Sequence, residues 1–358
     1  MFLANTWPGK LSMSLKEVAR RAHVSTATVS RVLNGVDVVK NSTRTRVMKA
    51  ISELNYHPNL HARSLAAGGS RTLGVIVSNL ENPFFLDVYR ALEADCHAHG
   101  YEIVVANTGY RSEQLVASVR LMIGRRVSGL AAIVSEMDHD LIRELLDSRI
   151  PVVFYDVGPT RQNITNIRVN YRKGVERIVE HLFALGHAKI AFVGHHSALG
   201  PIDERRSALF EALRRQRPSA EVEFFAAEDS LEGGADAARQ LLAGRFPATA
   251  VICVNDLMAV GVLKQLREQR IRVPEDISVT GFDNITLSRF CFPPLTTVDI
   301  PRDRIGHILY AMLCDPEAAI ADQREVVIQP EFVIRESTGP ARPAARASDP
   351  VALAAAKR

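Results

Sequence analysis

From residue 73 onward, short apolar runs alternate with stretches in which apolar residues recur every three or four positions. Leu73-Gly-Val-Ile-Val-Ser is brief and apolar throughout, which predicts a buried strand. Residues 83–100 then keep helical spacing and close on Gly100. Further apolar runs at 101–107, 129–135 and 150–156 predict strands, the last two each preceded by a helix. A second series starts near Tyr171: helix to Gly186, strand 189–194, helix near 204–216, strand near 222–226, a helix ending at Leu242, strand 249–254, helix 257–268 and strand 277–282. Strands alternating with helices imply doubly wound parallel sheets. Two series imply two lobes, and ligands in such folds sit beyond the carboxyl ends of the strands.

The first 70 residues follow a different rule, with helical periodicity only. Ser14 and Glu17 have capping-box spacing and start a helix in which Leu15, Val18, Ala19 and Ala22 share a face. His23-Val24 makes a turn, and Ser25 can cap a second helix whose Val29, Val32 and Leu33 point inward. A third amphipathic helix is predicted at about 43–55; Lys40 cannot accept a backbone hydrogen bond, so Asn41, Ser42 or Thr43 is expected to cap it. Two short helices around a tight turn outline a helix-turn-helix, whose second helix enters the major groove of DNA. Thr26, Ala27, Ser30 and Arg31 are left facing away from the core. Arginine suits guanine O6 and N7, and alanine and the threonine methyl suit a thymine methyl.

Charge supports a DNA-binding head. Residues 1–71 carry 11 Lys and Arg against 3 Asp and Glu, and the remaining 287 carry 33 against 37. The basic character is local, as phosphate neutralisation requires.

Residues 15–35 and 54–65 carry a resemblance. Leu15-Lys16-Glu17-Val18-Ala19, Val24-Ser25-x-x-Thr28-Val29-Ser30-Arg31-Val32-Leu33-Asn34-Gly35, Leu54-Asn55-Tyr56-x-Pro58-Asn59 and Ala62-Arg63-Ser64-Leu65 together resemble the lac repressor (LacI/GalR) family of bacterial transcription regulators. The resemblance implies an α/β protein: an all-α helix-turn-helix head at 12–58, a hinge helix or linker at 59–69, and a two-lobed core like that of periplasmic sugar-binding proteins at 70–339. Lobe 1 is expected at about 71–170 and 302–329, lobe 2 at about 171–298 and 330–339. Residues 1–11 read as a loose extension, with Met13 a natural second start, and 340–358 as a disordered tail whose Ala-, Pro- and Arg-rich composition already begins after Ser337. The DNA contacts implied are Lys16, Ser25, Thr26, Ala27, Thr28, Ser30, Arg31, Asn34, Tyr56, Asn59, Arg63, Leu65 and Ala66. Among these Leu65 is expected to wedge between base steps in the minor groove.

Polar residues at strand ends are the candidates for an effector site: Asp156, Asn255 and Asp283, with Arg206 opening a helix after a loop. The resemblance assigns these four as effector contacts, with Phe84 and Phe85 as an aromatic pair, and places Asp229 where purine-binding members carry an aromatic. The set suits a polyol, whose hydroxyls both donate and accept and whose apolar face stacks on a ring. A sugar or sugar derivative is therefore expected, a nucleobase being the alternative. Asp256 is expected to cap the helix at 257, Asn170-Tyr171 departs from the family's usual Asp-Asn and is not assigned, and His195-His196 is expected to face water in a loop.

Other functions find little support. No phosphate-binding loop, nucleophile elbow or His-Glu-x-x-His motif occurs, so neither catalysis nor a metal or other cofactor is expected. His97-x-His99 lies on a helix, where residues two apart diverge. Cys96, Cys253, Cys291 and Cys314 lack metal-like spacing, and the three in apolar surroundings read as small buried hydrophobes in a reducing cytoplasm. A freestanding sugar-binding or transport protein would share the core's fold but not the head. The expected partners are a pseudo-palindromic double-stranded operator, a small-molecule effector and a second copy of the chain, with no membrane. Whether effector releases or tightens DNA is left open, and residues 351–358 lack the heptads of a tetramerising coiled coil.

Overall fold

The computed structural model describes residues 14–33, 35, 38–56, 70–135, 139–157, 164–195, 200–315 and 324–342. They fall into two compact units divided between Ser70 and Arg71.

The smaller unit is three helices, α1 (Leu15–Ala22), α2 (Thr26–Leu33) and α3 (Asn41–Glu53). The capping box forms: Ser14 N–H donates to Glu17 Oε2 at 2.6 Å, and Glu17 N–H to Ser14 Oγ at 3.3 Å. His23 ends α1 in the left-handed region at φ 54°, which turns the chain. Ser25 Oγ accepts from Thr28 N–H at 3.1 Å and starts α2. Val18, Ala19, Ala22, Val29, Val32, Val47 and Ala50 are buried together, and Arg21 Nη2 reaches Glu53 Oε2 at 2.5 Å between α1 and α3. The expected side-chain cap of α3 is absent. The helix begins at Asn41 behind Lys40, whose carbonyl takes the first backbone bonds while its side chain makes none.

The larger unit holds two parallel sheets. The first has order β11-β5-β4-β3-β1-β2, with β1 (Thr72–Val77), β2 (Glu102–Asn107), β3 (Gly129–Ile133), β4 (Val152–Tyr155), β5 (Ile164–Val169) and β11 (Glu325–Ile328). Every pairing in it is parallel. Alternate strand residues face opposite ways, as strand geometry requires. Val75, Val77, Ala131, Ile133 and Val153 pack with α4 (Pro83–Ala98) and α12 (Arg302–Cys314). Ile76, Leu130, Ala132 and Phe154 pack with α5 (Ser112–Gly124) and α6 (His139–Ser148).

The second sheet has order β7-β6-β8-β9, with β6 (Lys189–His195), β7 (Glu221–Ala227), β8 (Ala250–Cys253) and β9 (Ser278–Thr280). Around it lie α7 (Tyr171–Ala184), α8 (Gly200–Gln216), α9 (Leu231–Ala243), α10 (Asp256–Glu268) and α11 (Leu287–Phe290). An antiparallel pair, β10 (Thr297–Asp299) and β12 (Glu331–Val333), completes this lobe. The chain thus crosses between lobes three times: β5 to α7, β10 to α12 and β11 to β12. Neither β5, β11 nor the β10–β12 pair is evident from the apolar pattern.

Residues 338–342 depart from the expected disorder after Ser337. Gly339 O lies 2.9 Å from His187 Nε2, Ala341 N–H donates to Leu185 O at 2.8 Å, and Arg342 Nε donates to Glu275 O at 3.0 Å. Among the described residues, no helix is long and apolar enough to cross a membrane.

Candidate functional site

On α2, Thr26, Ala27 and Arg31 are exposed, and Thr28 and Ser30 half-buried, opposite the buried Val29 and Val32. Ser25 and Thr28 are joined through their hydroxyls at 2.9 Å, so both help to start the helix. Lys16 is exposed on α1, and Tyr56 packs against the head's own core. Asn34, Asn59, Arg63, Leu65 and Ala66 lie outside the described residues.

In the larger unit, a cleft opens at the carboxyl ends of both sheets, where their strand orders reverse. Lobe 1 contributes Phe84, Phe85, Tyr110, Ile133, Val134, Ser135 and Tyr155. Lobe 2 contributes Tyr171, Ile202, Arg205, Asp229, Val254, Asn255 and Asp283. The lobe 1 wall is mainly aromatic. Asn82 caps α4 by accepting from Phe84 N–H at 3.0 Å, and Phe84 stands edge-on to Phe85 with centroids 5.4 Å apart.

The lobe 2 wall is polar. Arg205 is buried; its Nη1 donates to Val254 O at 2.6 Å, and its guanidinium lies over Tyr171 at 4.4 Å and Phe282 at 4.6 Å. Asp283 Oδ1 lies 3.6 Å from Arg205 Nη2, an ion pair beyond hydrogen-bond distance. Arg205 Nε and Asp283 Oδ1 are both buried with no hydrogen-bond partner. Unmade bonds of this kind are costly; Thr280 Oγ1 shares the condition away from the cleft, whereas Arg205 and Asp283 line it. Burial pushes the Asp283 carboxyl up to about 7, with Arg205 opposing. Asn255 Oδ1 caps α10 through Met258 N–H at 2.9 Å, and its Nδ2 donates to Asp229 Oδ1 at 2.5 Å.

Asp229 also ties the lobes together. Its Oδ2 accepts from Tyr110 O–H, and its carbonyl accepts from Asn79 Nδ2 at 3.1 Å. Tyr110 stacks on His195 with centroids 5.1 Å apart.

Of the effector contacts expected from sequence, Phe84, Phe85, Asp229, Asn255 and Asp283 line this cleft, and two do not. Arg206 turns away, donating to Asp203 Oδ1 at 2.5 Å beside Phe224; Arg205 takes the place expected of it. Asp156 lies behind the wall, where it accepts from Val169 N–H at 2.7 Å and Tyr171 O–H at 2.6 Å. Burial pushes its carboxyl up to about 7. Asp256 does not cap α10; it is fully buried and accepts from Thr297 Oγ1 and Ile285 N–H. His195 ends β6 and is buried, contrary to the exposed loop expected, and His196 lies outside the described residues. Among the described residues, no group of three or more His, Cys, Asp or Glu side chains is arranged to hold a metal ion.

A basic three-helix head and a two-lobed core with a half-aromatic, half-polar cleft define a class: DNA-binding regulators with a periplasmic-binding-type ligand core. Residues 14–59 match the model of bacterial regulatory proteins of the lacI family, and residues 179–338 that of a periplasmic binding protein-like domain. The HTH-type transcriptional repressor PurR of Vibrio vulnificus (strain CMCP6) is 35% identical over 336 residues, covering 90% of this chain and 98% of that protein. PurR of Vibrio atlanticus (strain LGP32) is 36% identical over 333 residues with the same coverage. Among solved structures, the lac repressor dimer bound to operator and the anti-inducer ONPF is 29% identical, with a TM-score of 0.78 over 91% of this chain and 99% of that one. The transcriptional regulator CelR in complex with cellobiose is 27% identical over 91% of this chain and 99% of that one, with a TM-score of 0.62. The chain belongs to the lacI family of bacterial transcriptional regulators.

Proposed function

We propose that this chain is an operator-binding repressor whose DNA affinity is set by a small neutral ring compound, a sugar or sugar derivative, bound between the lobes. The observation that carries this reading is the unpartnered pair Arg205 Nε and Asp283 Oδ1 facing a wall of rings. A sugar hydroxyl donates to the carboxylate, its neighbour accepts from the guanidinium, and the apolar ring face rests on Phe84 and Phe85. A flat base favours rings on both faces, and of the polar wall's residues only Tyr171 is aromatic, its face already covered by Arg205. The similarity to PurR over nearly its whole length favours a second reading, a purine base.

In the head, Thr26, Ala27, Ser30 and Arg31 are proposed to meet base edges, with Lys16, Ser25 and Thr28 at phosphates or the helix start. Asn34, Tyr56, Asn59, Arg63, Leu65 and Ala66 complete the proposed DNA contacts, and the protein acts as a homodimer. A ligand that touches both lobes changes operator affinity by binding one closure state better than the other.

Thermal denaturation with panels of sugars, sugar acids and purine bases tests the reading, since a ligand held only by the folded chain raises the melting point. A sugar should raise it in the wild type and in Arg206→Ala, and fail to do so in Arg205→Ala and Asp283→Ala. Stabilisation by a purine base alone would replace the sugar with the second reading. Stabilisation of Asp283→Ala equal to that of the wild type would remove the cleft assignment.

A further inference from the structure

The chain leaves lobe 2 after β10 and enters lobe 1 at α12, and Arg302 is the first residue of that helix. Its side chain is 14% exposed and reaches back to both lobes. Nη1 donates to Asp283 O and, at 3.2 Å, to Ile300 O, while Nε donates to Asp87 Oδ2 at 3.1 Å. Asp283 stands in lobe 2 and carries the unpartnered oxygen of the polar wall. Asp87 stands on α4, three residues after Phe84, so it shares a helix face with a ring of the opposite wall. One guanidinium thus holds the backbone of the polar wall and the helix of the aromatic wall. Both attachments are firm. Asp283, at φ 102°, is fixed by its own N–H on Val298 O at 2.8 Å as well as by Arg302. Asp299, 3.9 Å from Arg302 Nη1, accepts from Asn284 Nδ2 at 2.7 Å and braces the next residue. On the other side, α4 and α12 pack backbone to backbone: a Cβ on Gly306 would stand 2.7 Å from both Leu92 N and Val88 O. Farther along, His307 Nδ1 meets Asp95 Oδ2 at 2.6 Å, and Tyr310 stacks on His99 with centroids 4.9 Å apart.

We propose that Arg302 is a positioning residue of the effector site: it presents Asp283 to the cleft and fastens it, through Asp87, to the helix that carries Phe84 and Phe85. The proposal rests on the reading of Asp283 as an effector contact. Held in this way, the two walls keep their spacing before a ligand arrives, and less has to be ordered when one binds. Among the described residues, the Asp87 carboxylate pairs with Arg302 alone, so a change at Asp87 reaches the Asp283 loop only through that guanidinium.

Hydrogen–deuterium exchange of the full-length protein, without ligand, tests the tie. Asp87→Ala should speed exchange of the amides at 281–284 by about fivefold, the effect of one net hydrogen bond, although they lie in the other lobe. Arg302→Met should speed those amides and the first turn of α4 together, by about tenfold, with β6 as protected as in the wild type. Unchanged exchange at 281–284 in Asp87→Ala would make Arg302 a local brace of its own loop and overturn the proposal. So would a loss of protection spread evenly over both lobes, which is general destabilisation. Binding is read separately, by calorimetric titration of D-ribose, D-glucose, D-galactose, adenine and guanine into the wild type and Asp87→Ala. Whichever of these binds the wild type should bind Asp87→Ala about fivefold more weakly, and undiminished affinity would overturn the positioning role. Binding of a purine base alone would remove the sugar reading, and the same affinity ratio would still decide the role of Arg302.

Discussion

Asp283 holds a φ of 102°, which non-glycine residues rarely adopt. The conformation is fixed by its N–H on Val298 O and by Arg302 donating to its carbonyl, and it turns the carboxyl into the cleft. Because the folded carboxyl is pushed up to about 7 from an ordinary 3.8, it carries a sign. Below the ordinary value both folded and unfolded chains hold the proton. Between the two values only the unfolded chain releases it, so stability falls as pH rises; above 7 both are ionised and the loss is complete. Asp156, also raised to about 7, acts in the same direction. The melting point should therefore fall between pH 5 and 7 relative to an Asp283→Asn variant, measured by calorimetry at constant ionic strength. A flat difference across that window would show that the carboxyl is ionised throughout.

The Arg205 and Arg206 exchange shows what was legible at this scale. An arginine near the start of α8 could be read from the sequence, but which of two neighbours faces the cleft depends on helical phase. Ala208, Leu209, Ala212 and Leu213 are buried, and Arg205 stands three and four residues before the first two, on their face. That periodicity was present in the sequence and would have identified Arg205. Asp156 offered no such signal. Its position at a strand end is right for a ligand contact, and only the burial of Tyr171 in front of it moves it behind the wall.

Among the elements, those with strong periodicity and chemical caps were legible: α1 with its capping box, α4 with Asn82 and Pro83, and the uniformly apolar β1 and β3. The missed strands are short or mixed. β5 reads Ile-Thr-Asn-Ile-Arg-Val, and β11 and β12 hold four and three residues. β11 pairs with β5 and β12 with β10, both remote in sequence, and β5 is held between its neighbour β4 and the distant β11, so tertiary context rather than local propensity makes them strands. The recognition element carries its own prediction. Arg31 is exposed on α2, free of any role in the buried face. Arg31→Ala should cost about 1–3 kcal/mol on the selected operator and relax preference at one position per half-site. Site selection from a random duplex pool measures both, and an unchanged consensus would exclude base reading by this residue.

For the molecule as a whole, lobe 2 leaves three large apolar side chains more than half exposed among its described residues. Phe290 and Phe292 are 79% and 81% exposed, and Ile334 is 61% exposed. Exposed apolar groups that gather into a patch mark association sites, and a two-fold dimer suits a pseudo-palindromic operator. The double change Phe290→Ser, Phe292→Ser should shift sedimentation towards monomer and weaken operator binding, whereas removal of residues 343–358 should leave the dimer intact. A dimer unaffected by the double change would place its interface elsewhere.

The hydrogen bond from Tyr110 to Asp229 bears on how sharply such a protein can separate its two levels of gene expression. It spans the cleft using protein groups alone, so closure has a contribution that owes nothing to effector. A net hydrogen bond of about 1 kcal/mol corresponds to roughly a fivefold bias between states. That bias is present at all times, and where the ligand favours the closed state it appears as leak, a background of the liganded behaviour before any signal arrives. Tyr110→Phe removes the bond while keeping the ring on His195. In a reporter strain it should widen the ratio of expression between effector-rich and effector-free growth, chiefly by changing the effector-free level. An unaltered effector-free level would mean that the lobes close without help from this contact.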